Sequence, residues 1–282
     1  MLARPCRRDQ QHFQGPATRQ KKTTDNRYIR SAVVNGKAAN VAANSAPKVV
    51  FLDASHLKGW WKGVLYVLST KDSNNRIVHV ATVLADEENE TNYRFLLEQT
   101  CKNDQMARFL KSEQTTFFID GHRGSPPAIA AVCPESHVRT CVRHLITNKR
   151  MKRMGTNLSA MVYKAARMPS RALFDECMEE IKTRFPSNYN FFMSKGVKTW
   201  THHSAPKDLV LLDTTTSNGE ESTINMIGPD ARTKDIFHLH TGILEHSTGR
   251  LAEHARTDVG TAHIYTPFAR RFMENKRQLS RK

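Results

Sequence analysis

The chain has 282 residues, with 43 Lys+Arg against 27 Asp+Glu and a formal net charge of +16. Its length and 39% hydrophobic content suit one large domain with appendages or two modest domains, and exclude a chain that is disordered throughout. The sequence has no apolar run long enough to cross a membrane, no apolar stretch after the basic start to form a secretory signal, and five cysteines without close pairs, so nucleic acid in a reducing compartment is the first partner to expect of so basic a chain.

Residues 1–48 carry ten Lys/Arg, with Asp9 and Asp25 as their acids, and show no apolar period. Residues 1–46 therefore read as a basic flexible arm. Order begins at Lys48. Val49-Val50-Phe51-Leu52 is a β-prone run that ends in Asp53, Gly63–Thr70 is a second, and Arg76–Leu84 a third. Short polar connections between them predict an antiparallel meander. From Asn89 to Cys101 the period becomes helical, behind the acidic start Asp86, Glu87, Glu88 and Glu90. Thr115–Ile119 is a fourth strand and again ends in an aspartate, Asp120. Ser125-Pro126-Pro127 opens a short helix to Val132, because proline is tolerated in a first turn. His137–Cys141 reads as a fifth strand. Beyond Arg143 the pattern is helical, with breaks at Met168-Pro169 and Phe185-Pro186.

Three antiparallel strands, a helix, then strand–helix–strand is an α/β order. Two of the strands end in aspartate. On neighbouring strands such ends can bring two carboxylates together, an arrangement that a divalent cation stabilises. Oxygen donors suit Mg²⁺ or Mn²⁺, and two such ions can clamp the attacking and leaving oxygens of a phosphodiester. Ordinary turn chemistry is the other explanation for aspartate at a strand end.

Several segments resemble the transposase domain of Mutator-like elements. Val50-Phe51-Leu52-Asp53-Ala54-Ser55-His56 is similar to that family's opening strand into Asp-Gly-Thr, here Asp-Ala-Ser. Phe118-Ile119-Asp120-Gly121-His122-Arg123-Gly124 resembles its second acidic motif. The segment Ala131–Leu145, with Cys141 and His144, resembles its Cys-x-x-His segment. Thr216-Ser217-Asn218-Gly219-Glu220-Glu221-Ser222 resembles the helix opening that carries the third acid. The resemblance implies an α/β fold: a ribonuclease H-like mixed sheet flanked by helices, with a helical insertion at about 146–215, before the third acid. It implies a core over 47–230 and leaves 231–282 as a C-terminal basic extension. It also implies a DDE-type enzyme that cleaves and transfers DNA strands. Asp53, Asp120 and Glu221 would be the catalytic, metal-binding acids, with Glu220 as the alternative third, and two Mg²⁺ or Mn²⁺ ions would be held if the enzyme is active. Transposon terminal repeats and target DNA would be the partners, a homo-oligomer the assembly and the nucleus the compartment. A catalytically silent, domesticated or degenerate DNA-binding relative is the alternative, and an unrelated ribonuclease H-like nuclease would use the same acids.

The remaining constellations are weaker. Cys133, His137, Cys141 and His144 lack the tight cysteine pair of a zinc finger, so zinc is not expected. Cys141 and His144 are expected beside the active site. His238-Leu239-His240 and His202-His203 lack a third ligand at a recognisable spacing. Lys149–Arg171 holds seven basic residues and no acid. Lys149, Arg150, Lys152 and Arg153 are its candidate DNA contacts.

Overall fold

The computed structural model describes residues 17–22, 28–45, 47–58, 61–147, 155–209, 211, 214–215, 236–258 and 266–279. They build a seven-stranded sheet with helices on both faces. The strands are β1 (Ala17–Lys22), β2 (Tyr28–Val34), β3 (Val49–His56), β4 (Val64–Lys71), β5 (Ile77–Ala85), β6 (Thr116–Ile119) and β7 (His137–Thr140). Their spatial order is β1-β2-β5-β4-β3-β6-β7. The pairs from β1 to β3 are antiparallel, whereas β6 lies parallel to β3 and β7 parallel to β6. An antiparallel meander continued by two parallel strands is the mixed sheet of a ribonuclease H-like fold. Strand β6 (Thr-Phe-Phe-Ile) is buried along its whole length, as a parallel strand covered on both faces must be.

Alternation along the strands separates two cores. One face carries Val50, Leu52, Tyr66, Leu68, Phe117 and Ile119. It packs under α1 (Gly36–Ser45), α2 (Glu90–Thr100), α3 (Asp104–Leu110) and α4 (Ser125–Val132). The opposite face carries Leu65, Val67 and Leu84 under Leu239 and Ile243, and Val49, Phe51 and Phe118 under Leu209 and Leu211. The helix ends have local causes. Asn89 caps α2 by accepting from the Asn92 N–H at 3.0 Å, and Asn103 caps α3 by accepting from the Met106 N–H at 3.0 Å.

Beyond β7 the chain turns helical: α5 (Val142–Thr147), α6 (Thr156–Ala166), α7 (Arg171–Arg184) and α8 (Pro186–Ser194). Pro186 opens α8, so the break at Phe185-Pro186 lies where the sequence placed it. These helices share their own core around Phe174, Phe192 and Trp200. Arg139 ties that core to the sheet. Its buried guanidinium donates to the carbonyls of Lys198 and Thr201. Burial lowers its pKa to about 10, so it keeps its charge at neutral pH.

Two expectations change. Within the arm read as flexible over 1–46, residues 17–22 and 28–34 form β1 and β2, and 36–45 form α1. The free edge of β5 supplies the backbone partners that this polar segment lacks by itself, and Ala38, Ala39 and Ala42 let α1 approach the sheet closely. Within the extension read over 231–282, α9 (Ile236–Asp258) covers the sheet, and α10 (Pro267–Leu279) follows. His238 and His240 are thus on a helix. His240 is buried, with Nε2 2.6 Å from Ser31 Oγ on β2, while Asn35 donates to Ser247 at 3.1 Å. The Tyr28 hydroxyl, 2.5 Å from Ser31 Oγ, completes the link to Leu84 by donating to its carbonyl at 3.0 Å.

Candidate active site

Asp53 and Asp120 meet through strand pairing. The parallel register sets Leu52 against Ile119, so the two aspartates come next along neighbouring strands: Asp120 just after β6, and Asp53 not at the end of its strand as expected but inside β3, which pairs with β4 as far as His56. Adjacent strands run about 4.8 Å apart. Asp53 is buried at 4% exposure and Asp120 half-buried. Asp53 is on the same side of β3 as Val49 and Phe51.

Each carboxylate is oriented by the backbone that follows it. Asp53 Oδ1 accepts from the Ala54 N–H at 2.9 Å. Asp120 Oδ1 accepts from the His122 N–H at 2.8 Å, closing a tight turn. Gly121 between them has φ +89°, a conformation that suits glycine, with open space where a side chain would start. The loop then meets α2. A Cβ on Gly124 would lie 2.7 Å from the Glu90 nitrogen, so this close approach of backbone to backbone requires glycine.

His144, on α5, lies within the field of both aspartates. Burial opposes its charge, but contact with Cys141 and the charges of Asp53 and Asp120 outweigh that and raise its pKa to about 9. At neutral pH the pair of carboxylates therefore has an imidazolium beside it. Cys141 is held next to the same strand end: its N–H donates to the Ile119 carbonyl at 2.8 Å. The Val142 N–H donates to the Thr215 carbonyl at 2.9 Å, which brings Thr215 to this end of the sheet as well.

Sequence reasoning missed the residues in front of α2. The Tyr66 hydroxyl donates to the Glu87 carbonyl at 2.6 Å and accepts from the Asn89 N–H at 3.1 Å, fixing this loop. Tyr93 donates to Glu88 Oε1 at 2.8 Å and stacks obliquely on His122, with ring centroids 5.8 Å apart. Glu88 also lies 3.6 Å from His122 Nδ1 and 3.7 Å from His56 Nε2. The Tyr93 phenol is pushed well above its ordinary range, first by burial and then by the charges of Asp120 and Glu88. The signal in the sequence was a tyrosine one turn into a helix with an acidic start, a pattern shared with any surface helix.

Asp53 and Asp120 offer the hard oxygen donors that a divalent ion takes, and they come together as a pair. Among the described residues no group of three His, Cys, Asp or Glu is placed to hold a metal ion. Glu221 and Glu220 lie outside the described residues, as do Lys149, Arg150, Lys152 and Arg153.

The family model of the MULE transposase domain matches residues 49–148. That stretch is a MULE transposase domain. The MULE match contains Asp53, Asp120, Cys141 and His144, takes in α5, and ends before α6 and before Glu221. No curated protein matches the chain.

Proposed function

We propose that the chain is the catalytic part of a DDE-type transposase, which hydrolyses a phosphodiester at a transposon end and joins the freed 3′-hydroxyl to target DNA. The observation that carries this reading is the juxtaposition of Asp53, inside β3, with Asp120, the residue after the parallel strand β6, within a MULE transposase domain. Such a domain suggests transposase-related function and a DNA partner, and the formal charge of +16 suits that polyanion. Asp53 and Asp120 would hold Mg²⁺ or Mn²⁺, and the ions would supply Lewis-acid stabilisation of the attacking and leaving oxygens. The third ligand in this reading is Glu221. It follows Thr215 by six residues, and a chain of that length extends to at most about 20 Å, which leaves the aspartates within reach. The protein itself would orient the carboxylates through the Ala54 and His122 amides. His144 would balance their charge before metal and substrate arrive. A nuclear location follows from the DNA substrate proposed.

The test is nicking of a labelled terminal-repeat duplex with Mg²⁺ or Mn²⁺. Asp53→Asn and Asp120→Asn should each abolish nicking while the circular dichroism spectrum is unchanged. Glu221→Gln should do the same, and Glu220→Gln should not. If the unsubstituted chain binds the duplex but cleaves with neither ion, a silent DNA-binding relative becomes the better reading.

A further inference from the structure

Glu88 stands just before α2, and one carboxylate there reaches the segments that follow both aspartates. The backbone on either side of it is pinned. The Glu87 carbonyl accepts from the Tyr66 hydroxyl at 2.6 Å and from Asn92 Nδ2 at 3.0 Å, and the Asn89 N–H donates to the Tyr66 hydroxyl at 3.1 Å. The Glu88 side chain is 15% exposed, and its Oε2 lies 3.7 Å from Nε2 of His56, the last residue of β3. Its Oε1 lies 3.6 Å from Nδ1 of His122, in the turn after Asp120, and accepts from the Tyr93 hydroxyl at 2.8 Å.

This cluster sits behind the aspartates. Alternation along β3 puts His56 on the side of Leu52 and Ala54, which packs under α2, and Asp53 on the side of Phe51. Glu88 therefore acts on the pair through other residues. Tyr93 is fully buried, so its hydroxyl needs an acceptor, and Glu88 supplies it. The Tyr93 ring, held in this way, stacks on the His122 ring. His122 Nδ1 accepts from the Gly124 N–H at 3.2 Å, and the His122 N–H donates to Asp120 Oδ1. A continuous run of contacts thus joins Glu88 to an oxygen of Asp120. The two aspartates differ in their need for it. Asp53 is fixed within β3 by pairing with β4, whereas Asp120 lies past the last residue of β6, in the turn through Gly121.

We propose that Glu88 is a positioning residue of the acidic site: by holding Tyr93 against His122 it sets the Asp120 turn relative to Asp53, and so tunes how tightly the pair takes a divalent cation. The inference rests on the reading of Asp53 and Asp120 as metal ligands. Residues that orient a metal ligand from behind are worth about 10–100-fold in metal affinity. Glu88 also carries a charge, which attracts a cation whatever it does to geometry. Glutamine separates the two effects, because it keeps an acceptor for Tyr93 and loses the charge.

The experiment is Mn²⁺ binding to the full chain without DNA, read from the loss of the free-ion electron paramagnetic resonance signal. Glu88→Ala should weaken binding about tenfold, and Glu88→Gln should stay within about threefold of the unsubstituted chain. Asp53→Asn should abolish binding. Equal losses in Glu88→Ala and Glu88→Gln would assign the effect to charge and overturn the proposal, as would unchanged affinity in Glu88→Ala. Because Glu88→Ala leaves a buried hydroxyl without its acceptor and could unfold the chain, Tyr93→Phe is measured beside it. It cuts the same hydrogen bond and keeps the ring, so it should weaken binding too, and unchanged affinity there would count against the proposal. A second readout needs no metal. The ring-proton NMR signals of His122, assigned by their absence in His122→Ala, should move in Glu88→Ala and hold their place in Glu88→Gln. Signals that stay put in Glu88→Ala would break the link between Glu88 and the Asp120 turn. An unsubstituted chain that takes up no Mn²⁺ would overturn the metal reading, and with it the effect on affinity, whereas the His122 signals would still decide whether Glu88 positions the turn.

Discussion

Replacing Gly124 by alanine pits two opposite effects against each other. The residue has φ −81° and ψ −22°, an ordinary helical conformation, so the backbone itself accepts alanine. By that criterion alone the substitution should stabilise the chain by about 0.4–1 kcal/mol, because alanine restricts the unfolded state. The space around Gly124 argues the reverse. An added methyl would sit 2.7 Å from the Glu90 nitrogen, 2.9 Å from the Asn89 carbonyl carbon and 3.1 Å from the Glu90 Cα, all backbone atoms. None of them can rotate away, and Asn89 is fixed further by its cap to Asn92 and by the Tyr66 hydroxyl. Overpacking against such neighbours costs about 1–3 kcal/mol. The net expectation is a destabilisation of about 1–2 kcal/mol, read as a lower urea midpoint at unchanged slope. Nicking should fall as well, since the loop that ends at Gly124 carries Asp120. Gly121→Ala is the companion variant: nothing lies within 4 Å of its added carbon, so any loss there reports the positive φ alone. A Gly124→Ala protein as stable as the parent would refute the close approach of α2 and α4.

The histidines give two further expectations. Burial depresses the pKa of His240 from 6.5 to about 4, so the folded state binds its proton less readily than the unfolded chain. Its contribution is present above about pH 6.5 and is lost as the pH falls toward 4, at most roughly 3 kcal/mol. His240→Gln should flatten this limb of the stability curve, and an unchanged acid slope in urea melts would count against it. His144 moves the other way. Because its pKa is raised by Cys141, Asp53 and Asp120, Asp53→Asn or Asp120→Asn should lower it toward the ordinary histidine value. Histidine proton NMR across a pH series reads this directly, and an unmoved midpoint in both variants would separate His144 from the carboxylates.

The sheet from β3 to β7 was legible because each strand announces itself. Apolar runs such as Val49–Leu52 and Phe117–Ile119 compress the signal into three or four positions, and the polar stretch Lys71–Asn75 marks the turn from β4 to β5. Helices α2 and α4 were legible from an acidic start and a proline pair. The strands β1 and β2 were not, because Arg19, Lys21 and Lys22 have no apolar alternation, and pairing with a neighbour decides their state. In α1 the inward residues are Ala38, Ala39 and Ala42, whose small size is the means of packing and leaves no hydrophobic signature. At the site, Asp53 and Asp120 could be found because each follows a readable apolar run, although β3 continues past Asp53 to His56. Tyr93 and Glu88 could not, because their proximity to His122 depends on how α2 crosses the Asp120 loop.

The pairing of β3 with β6 also sets an order of events in folding. The meander β3–β4–β5 closes through short turns, so it can form as soon as residues up to Ala85 are available. The aspartates meet only later, after α2 and α3 have been made and β6 has docked in parallel beside β3. The far edge waits longer still, since Ser31 on β2 finds His240 across 209 residues of sequence. During synthesis a nascent chain would thus expose the edge of β3 with Asp53 unopposed, and the aspartate pair would form only after the meander.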